Sequence, residues 1–245
     1  MTQKISKGKN LKVLGVVGAR SGSRSIPNKN IKPLLGKPLM AWIIEAAKRS
    51  KYITRLVLST DSHKYAKIGK NYGAEVPFLR PKKYAGDRAD DITYLTHAVR
   101  WLEKNEGWIP NIILRLPPTA PLCRTDSIDA CIELLLNDKK ATSARTIKTA
   151  PKHPYKLWRV DGVELKPFVP KELTGFNEPS NIARQLLPQA FAHVDVIAVR
   201  YETLMKDKLL TGKRIRFVML DENSSVDIDN EIDFQLAELV LKNNL

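Results

Sequence analysis

Short apolar runs alternate along the chain with longer segments that mix apolar and polar residues. The apolar runs are typical of buried parallel strands, and they predict strands over residues 11–17, 55–60, 75–79, 111–116, 141–147, 192–200 and 215–220. The longer segments predict helices over residues 38–50, 62–72, 91–105, 125–137 and 231–242. Strands that alternate with helices in this way favour an α/β fold with a mostly parallel, doubly wound, Rossmann-like sheet.

This alternation is interrupted between residues 149 and 190, where prolines are frequent and no long helix fits. We therefore expect a single domain over residues 11–245, in which 149–190 form a small inserted arm. Residues 1–10 are polar and basic, which predicts a flexible leader that is neither a signal peptide nor a membrane anchor.

The composition is that of an ordinary globular protein, with 43% hydrophobic and 27% charged residues. No apolar run approaches the roughly 20 residues that span a bilayer, so we expect no membrane partner. The two cysteines, Cys123 and Cys131, follow no metal-binding pattern and do not suggest a disulfide framework. Together these features predict a cytoplasmic protein.

The net charge of +15, from 41 basic and 26 acidic side chains, suits an anionic partner. That partner could be a nucleic acid, a membrane surface or a small anion such as a triphosphate. The basic residues are spread along the chain without an arginine-rich tract, which disfavours nucleic acid. Most of them are expected to be solvated surface charges.

The loop after the first strand is the first candidate for chemistry. Gly18 and Gly22 permit a close backbone approach, and Arg20, Arg24 and Lys29 add charge that can bind phosphate. The spacing matches neither a Walker A loop nor the dinucleotide fingerprint. On these residues alone, a phosphate site and a structural turn with a basic face are equally open.

Residues 18–39 closely resemble the N-terminal motif of the acylneuraminate cytidylyltransferases, which make CMP-sialic acid and related CMP-nonulosonates. That motif runs A-R-x-G-S-K-x-I-P-x-K-N-x-K-x-L-x-G-K-P-L. The chain matches it at Ala19-Arg20, Gly22-Ser23-Arg24, Ile26-Pro27, Lys29-Asn30, Lys32, Leu34 and Gly36-Lys37-Pro38-Leu39.

Further segments match the same family in the same order along the chain. They are Ser59-Thr60-Asp61, Leu79-Arg80-Pro81, Ala85-Gly86-Asp87, residues 116–124 (similar to L-Q-P-T-S-P-L-R), His153-Pro154-Tyr155-Lys156, residues 184–188 (similar to R-Q-x-L-P) and residues 226–233 (similar to D-I-D-T-x-x-D). The resemblance therefore covers nearly the whole chain and implies a nucleotide-diphospho-sugar transferase type of fold.

Asp227 and Asp229 alternate along an extended segment, so both carboxylates point to the same side. Such a pair can hold Mg²⁺ together with water and triphosphate oxygens. Without the resemblance, capping of the last helix by Asp229 or Asn230 is the more frequent role of this pattern. The resemblance favours metal binding. Asp233 is expected to be solvated inside the helix, and Asp61 is either a helix cap or a ligand contact.

The resemblance also implies roles for individual residues. Catalytic roles fall to Arg20, Lys29 and Asp229, and the Mg²⁺ ligands are Asp227 and Asp229. The nucleotide contacts are Ala19, Arg20, Gly22, Ser23, Asn30, Arg80 and Asp87. The contacts to the acceptor sugar are Pro118, Thr119, Lys156, Arg184, Gln185 and Asp195.

The chain departs from the family at two positions of the acceptor side. The glutamine of L-Q-P-T-S-P is assigned to Pro118, which lacks a side-chain hydrogen-bonding group and a backbone donor. Asp195 brings a carboxylate into a neighbourhood that is neutral in sialic acid enzymes. The acceptor therefore need not be sialic acid itself.

The activity implied is transfer of CMP from CTP to the anomeric hydroxyl of a nonulosonic acid by a homodimer, with release of pyrophosphate. A related transferase that uses another triphosphate or a sugar phosphate is the nearest alternative. A non-catalytic nucleotide- or nucleic-acid-binding protein is a more distant one, motivated by the net charge.

Overall fold

The computed structural model describes residues 10–23, 25–86, 89–221 and 225–244, so residues 1–9 of the predicted leader, Arg24 and Asp87 lie outside the described residues. The strands are β1 Val13–Gly18, β2 Pro33–Leu34, β3 Lys37–Pro38, β4 Arg55–Ser59, β5 Ile112–Leu116, β6 Ser143–Thr149, β7 Trp158–Asp161, β8 Glu164–Pro167, β9 Phe191–Arg200 and β10 Ile215–Met219. The α-helices are α1 Leu39–Lys48, α2 His63–Asn71, α3 Asp91–Glu106, α4 Thr125–Asn137, α5 Lys171–Thr174, α6 Tyr201–Met205 and α7 Glu231–Asn244.

The central sheet has six strands in the order β10-β6-β9-β5-β1-β4. Strand β1 pairs in parallel with both β4 and β5. Strand β9 runs antiparallel to β5, with Ile197 opposite Arg115. The prediction of an α/β fold with a mostly parallel sheet is thus confirmed, and the antiparallel strand beside β5 is an addition that the apolar pattern did not indicate.

Apolar layers cover both faces of this sheet, because successive side chains of a strand point to opposite faces. On one face Val17 of β1 packs into a cluster with residues of α1 and α4. On the other face Val16 of β1 packs with residues of α3 and α6. The sheet is therefore doubly wound, as predicted. None of the described helices is long and apolar enough to cross a membrane.

The strand predicted over residues 75–79 is wrong. Only Glu75 forms a bridge, to Val57 of β4. Pro77 has no N–H group to donate to a ladder and disfavours its continuation. The backbone returns to the end of β4 at Arg80, whose N–H donates to the carbonyl oxygen of Thr60 at 2.7 Å.

A short hairpin, β2–β3, follows the loop after β1 and was not predicted. Its turn residues Leu35 and Gly36 both have positive φ, 47° and 80°. This is the geometry of tight two-residue hairpin turns, and leucine adopts it rarely. Such turns usually have Asn-Gly or Asp-Gly at these two positions. Here only the glycine is present, so the sequence did not predict the turn.

Residues 147–193 form a second compact unit of the chain, and residues 10–146 and 194–244 belong to the first. The second unit includes the segment 149–190 for which an arm was predicted. It contains the antiparallel hairpin β7–β8, which turns at Gly162 with φ 63°, and the short helix α5. Its part in dimerisation stays a prediction.

Candidate active site

A cleft of about 400 Å³ lies at the carboxyl ends of β1 and β5. These strands are parallel neighbours, so the segments that leave them meet at one edge of the sheet, where open α/β sheets bind ligands. Its walls are the loop after β1, the first turn of α3, the end of β5 with residues 117–119, and Asp229. Four separate regions of the chain thus converge on one cleft.

The loop after β1 is clamped by Asp61. One carboxylate oxygen of Asp61 accepts from the backbone N–H of Ser21 and the other from its hydroxyl, both at 2.9 Å. The helix cap of α2 is Ser62, whose side chain accepts from the N–H of Tyr65. Asp61 is therefore neither the cap nor a lining residue of the cleft. It holds the loop in place.

Two further bonds fix the same loop. Ala19 donates its N–H to the carbonyl oxygen of Ser59 at 3.0 Å. The side-chain amide of Asn30 donates to the carbonyl oxygen of Arg20 at 3.0 Å, and Asn30 is only 4% exposed. Arg20, Ser23 and Asn30, three of the predicted nucleotide contacts, line the cleft together with Lys29, for which a catalytic role was predicted. Their contacts to a nucleotide stay predictions.

Gly18 is required by its neighbour Tyr94. A β-carbon at Gly18 would lie 2.6 Å from Cζ of Tyr94, which is closer than side chains pack. Gly22, in contrast, would meet none of the described residues within 4 Å of an added β-carbon. The glycine that the packing demands is thus the one at the end of β1.

Arg80, predicted to contact the nucleotide, lies behind the cleft wall. Its Nε donates to the hydroxyl of Ser59 at 3.0 Å, and its guanidinium is 4.6 Å from the ring centroid of Tyr94. Burial lowers the pKa of Arg80 and raises that of Tyr94. Arg80 supports the Tyr94 ring that lines the cleft, and it does not itself line it.

The Asp227-Ile228-Asp229 segment has the alternation that was predicted. Ile228 is fully buried, whereas Asp227 and Asp229 are exposed, so the two carboxylates share a side. The N–H of Ile228 donates to the carbonyl oxygen of Thr119 at 3.0 Å, which ties this segment to the end of β5. The ammonium group of Lys29 donates a hydrogen bond to the carbonyl oxygen of Ile228, and its nitrogen is 3.7 Å from a carboxylate oxygen of Asp229.

Capping of α7 is carried out by Asn230 and Asp233. The side-chain oxygen of Asn230 accepts from the N–H groups of Ile232 and Asp233, at 2.9 and 3.1 Å. The carboxylate of Asp233 accepts from the N–H groups of Asp229 and Asn230, at 2.9 and 3.1 Å. The expectation of a solvated Asp233 is wrong, because it closes a capping box. Asp229 does not cap with its side chain.

The donor set fits Mg²⁺ better than a structural metal ion. No group of three or more His, Cys, Asp or Glu side chains arranged to hold a metal occurs among the described residues. Mg²⁺ is usually bound by one or two carboxylates and completes its shell with waters and substrate phosphates. Asp227 and Asp229, exposed beside a cleft lined with cations, meet that requirement.

Pro118 and Thr119, predicted to contact the acceptor sugar, line the cleft together with Pro117, and their contact with a sugar stays a prediction. Counting back from Thr119 along L-Q-P-T-S-P places Pro117, not Pro118, at the glutamine position, which corrects the assignment made above. Asp195 has a different environment from the one expected. It is 3% exposed and accepts from the hydroxyl of Ser225 at 2.8 Å, so it anchors the segment that leads to Asp227.

Lys156, Arg184 and Gln185 belong to the second unit. The ammonium group of Lys156 donates to the carbonyl oxygens of Ser180 and Ile182, at 3.1 and 2.7 Å. Arg184 is exposed and donates to the carbonyl oxygen of Ala150, and Gln185 is exposed beside it. Within this unit Lys156 and Arg184 join segments that are distant in sequence.

Sequence reasoning missed Arg115 and Asp91. Arg115 lies in β5 and lines the cleft, and its Nε donates to Asp91, the first residue of α3, at 2.8 Å. Burial alone would lower the pKa of Arg115, but Tyr94 and Asp91 outweigh it and raise the pKa. The available signal was an arginine inside the apolar run Ile-Ile-Leu-Arg-Leu, because charged residues are seldom buried unless they are paired.

The cytidylyltransferase family model matches residues 14–163, which is more than half of the chain and includes β1, its loop and β5. The chain belongs to the cytidylyltransferase family. One relative in this family is the N-acylneuraminate cytidylyltransferase of Escherichia coli, 26% identical over 226 residues; the match covers 92% of this chain and 51% of the relative. The chain thus spans about half the length of that protein.

A second cytidylyltransferase relative matches along its whole length. It is the CMP-N,N'-diacetyllegionaminic acid synthase of Legionella pneumophila, 27% identical over 239 residues, or 96% of this chain and 98% of the relative. Among solved structures, CMP:2-keto-3-deoxy-manno-octonic acid synthetase complexed with CTP superposes with a TM-score of 0.69 and 16% identity. That match covers 96% of this chain and all of the other, and it supports the cytidylyltransferase fold.

Proposed function

We propose that this chain transfers CMP from CTP to the anomeric hydroxyl of a nonulosonic, sialic-acid-like sugar acid and releases pyrophosphate. The observation that carries the proposal is the meeting of the clamped loop after β1, Lys29 and Asp229 in one cleft. Membership of the cytidylyltransferase family supports CTP as the donor. The names of the two relatives, which refer to N-acylneuraminate and to N,N'-diacetyllegionaminic acid, support the acceptor class.

The loop after β1 would carry the triphosphate. Arg20 and Lys29 neutralise its charge, and Ser23 adds a hydroxyl donor from the same wall of the cleft. Asn30 holds the carbonyl oxygen of Arg20 and so fixes the backbone from which the Arg20 side chain projects. These contacts position CTP, and transfer reactions of this kind depend mainly on positioning and charge stabilisation.

Asp227 and Asp229 would hold Mg²⁺, which supplies Lewis-acid polarisation of the α-phosphate when it is bound. Of the two carboxylates, Asp229 lines the cleft. Lys29, 3.7 Å from Asp229, lies where its charge can also stabilise the departing pyrophosphate. The hydroxyl oxygen of the acceptor bonds to the α-phosphorus as the bond to the oxygen bridging the α- and β-phosphates breaks, pyrophosphate leaves with that oxygen, and the hydroxyl proton passes to Asp229 or to water.

We also propose that the protein is a homodimer joined through the second unit. Six large apolar side chains of that unit are 60–104% exposed: Val160, Val163, Leu165, Phe168, Leu173 and Leu186. Val160 and Leu165 lie opposite each other in the β7–β8 hairpin, and exposed apolar patches mark interaction surfaces. Sedimentation of the Val160→Glu, Leu165→Glu double variant tests this. The wild-type protein is expected to sediment as a dimer and the double variant as a monomer. Equal sedimentation masses for the two proteins would contradict the proposal.

Pyrophosphate release with a panel of triphosphates and acceptors tests the activity. We expect release of pyrophosphate when CTP, Mg²⁺ and a nonulosonic acid are all present, as in the cytoplasm, where the protein is proposed to act. Release with a sugar phosphate, or with another triphosphate in place of CTP, would favour the related transferases instead. Salt-sensitive binding of nucleic acid without any turnover would overturn the assignment as an enzyme.

A further inference from the structure

A second depression lies along helix α3, apart from the active cleft. It is lined by α3 residues between Ile92 and Asn105, by Tyr84 and by Lys208, and we call it the α3 groove. Its volume of about 560 Å³ falls in the range of small-molecule sites, roughly 300–1,000 Å³. In the first turns of α3, Tyr94 lines the active cleft and Thr93 lines the groove. One helix thus borders two different cavities.

The α3 groove is positively charged. Its lining includes Arg100, Lys104 and Lys208 and, among the residues that the structure describes, no carboxylate. Arg100 and Lys104 are exposed one helical turn apart, a spacing at which like charges repel each other. Neither side chain makes an ion pair or a hydrogen bond with any described residue. An anion bound in the groove would relieve this repulsion.

Aromatic rings form another part of the groove lining. Tyr84, His97 and Trp101 all contribute to it. Phe78 packs edge-on against His97, with 4.7 Å between ring centroids, and lies 5.6 Å from the ring of Trp101. The ring of Tyr84 is 5.4 Å from that of His97. These contacts hold the rings in place, so a planar group of a ligand can stack on them without rearranging the groove.

The state of His97 shows that the positive field extends beyond the three lining cations. Burial lowers the pKa of His97, and the charges of Arg80 and Lys83 lower it further. Its Nδ1 is buried without a hydrogen-bond partner among the described residues. The imidazole is therefore neutral near pH 7 and adds a polar ring, but no further charge, to the groove.

We propose that the α3 groove is a second ligand site, which binds a nucleoside phosphate. Arg100 and Lys104 contact the phosphate through charge-assisted hydrogen bonds, and the rings of Tyr84 and Trp101 receive the base. Cations alone would suit any anion, and rings alone would suit any planar group. Their presence in one groove favours a ligand that carries both. The lining shares no residue with those assigned above to CTP or Mg²⁺, so the site does not depend on the proposed activity.

Binding of AMP, followed by NMR on the imidazole of His97, tests the proposal. The signal is identified by its absence in His97→Gln, and because His97 lines the groove it reports on this site. In the Arg100→Ala, Lys104→Ala double variant, the Kd for AMP is expected to rise at least about tenfold, since two charge-assisted contacts are lost. Trp101→Leu should raise it about three- to tenfold through the lost ring contact.

Two controls separate the groove from the cleft and the base from the phosphate. Arg20→Ala, which removes a cation of the active cleft, should leave the Kd for AMP at the groove unchanged. Ribose 5-phosphate, which has the phosphate but no base, should bind the wild-type protein about three- to tenfold more weakly than AMP. Circular dichroism checks that each variant is folded.

Three results would overturn the proposal. The first is an unchanged affinity for AMP in the double variant, which would leave Arg100 and Lys104 as solvated surface charges. The second is equal affinity of the wild-type protein for AMP and ribose 5-phosphate. The third is a His97 signal that responds to a single-stranded oligonucleotide but not to AMP, which would assign the groove to nucleic acid. Pyrophosphate release is not measured, so a failure of the proposed activity would not alter any of these outcomes.

Discussion

The two sides of the cleft are made in different ways. On the β1–β4 side, a loop is fixed by bonds that involve its main chain, such as the N–H groups of Ala19 and Ser21. On the β5–β9 side, the contacts are side chains that project from regular elements, chiefly Arg115 and Asp91. The position of the loop therefore depends on several bonds, whereas the orientation of Arg115 depends chiefly on its ion pair with Asp91 and would change with one substitution.

The largest expected effect comes from Asp227→Ala, which acts on both sides of the cleft at once. If Asp227 holds Mg²⁺, turnover should fall by about 10³-fold, since metal polarisation is worth several kcal/mol. Both KM values should change much less. Circular dichroism must first show an intact fold. Wild-type turnover in a folded Asp227→Ala protein would refute the metal assignment.

Gly18→Ala should disturb the junction where the two sides meet. The new methyl group would overlap the ring of Tyr94, and overpacking of this kind costs about 1–3 kcal/mol of the free energy of unfolding. Thermal melts measure the loss. Gly22→Ala is the control, because no atom of the residues that the structure describes lies within 4 Å of its added carbon. Equal stability of the two variants would contradict the close packing.

Asp61→Ala should affect the donor side alone. The variant lacks both oxygens that accept from Ser21, so the loop loosens and the KM for CTP should rise about tenfold, or ~1.4 kcal/mol. The KM for the acceptor should stay constant. Ser62→Ala, which removes only the cap of α2, serves as the comparison and should lower stability without changing the KM for CTP. Parallel rises in both KM values would mean that the sides are not independent.

The smallest effect is expected for Asn230→Ala. Loss of this cap should cost about 1 kcal/mol of the free energy of unfolding, measured by chemical denaturation. Turnover should change little, because Asp229 keeps its position through its bond to Asp233. A large drop in turnover would show that the cap and the proposed metal site are coupled.

The sequence predicted helices and strands well where the apolar residues follow a single clear pattern. Helix α4 was predicted over the residues it occupies, and β5 differs from its prediction by one residue, because their apolar patterns are unambiguous. The strand predicted at 75–79 failed at Pro77, where the apolar pattern continues but the backbone donor is missing. The apolar pattern favoured a strand and the proline opposed one, and the sequence alone did not show that the proline would prevail.

Within the candidate site, the limits of prediction have a different cause. Residues 18–30 were found because a long motif marks them, although the clamp by Asp61 depends on a contact 40 residues away in sequence. The pairing of Arg115 with Asp91 and the closure of the capping box by Asp233 were missed. Both depend on tertiary geometry or on cap positions that residue type alone leaves open.

The position of β9 has a consequence for the order of folding. Strands β1, β4 and β5 all come from residues 13–116, whereas β9 must pair with β5 across a long stretch of intervening chain. Pairing at such separation closes a large loop and is slow, so β9 is expected to join the sheet after its neighbours. During refolding, amide protection should therefore reach β1, β4 and β5 before it reaches β9.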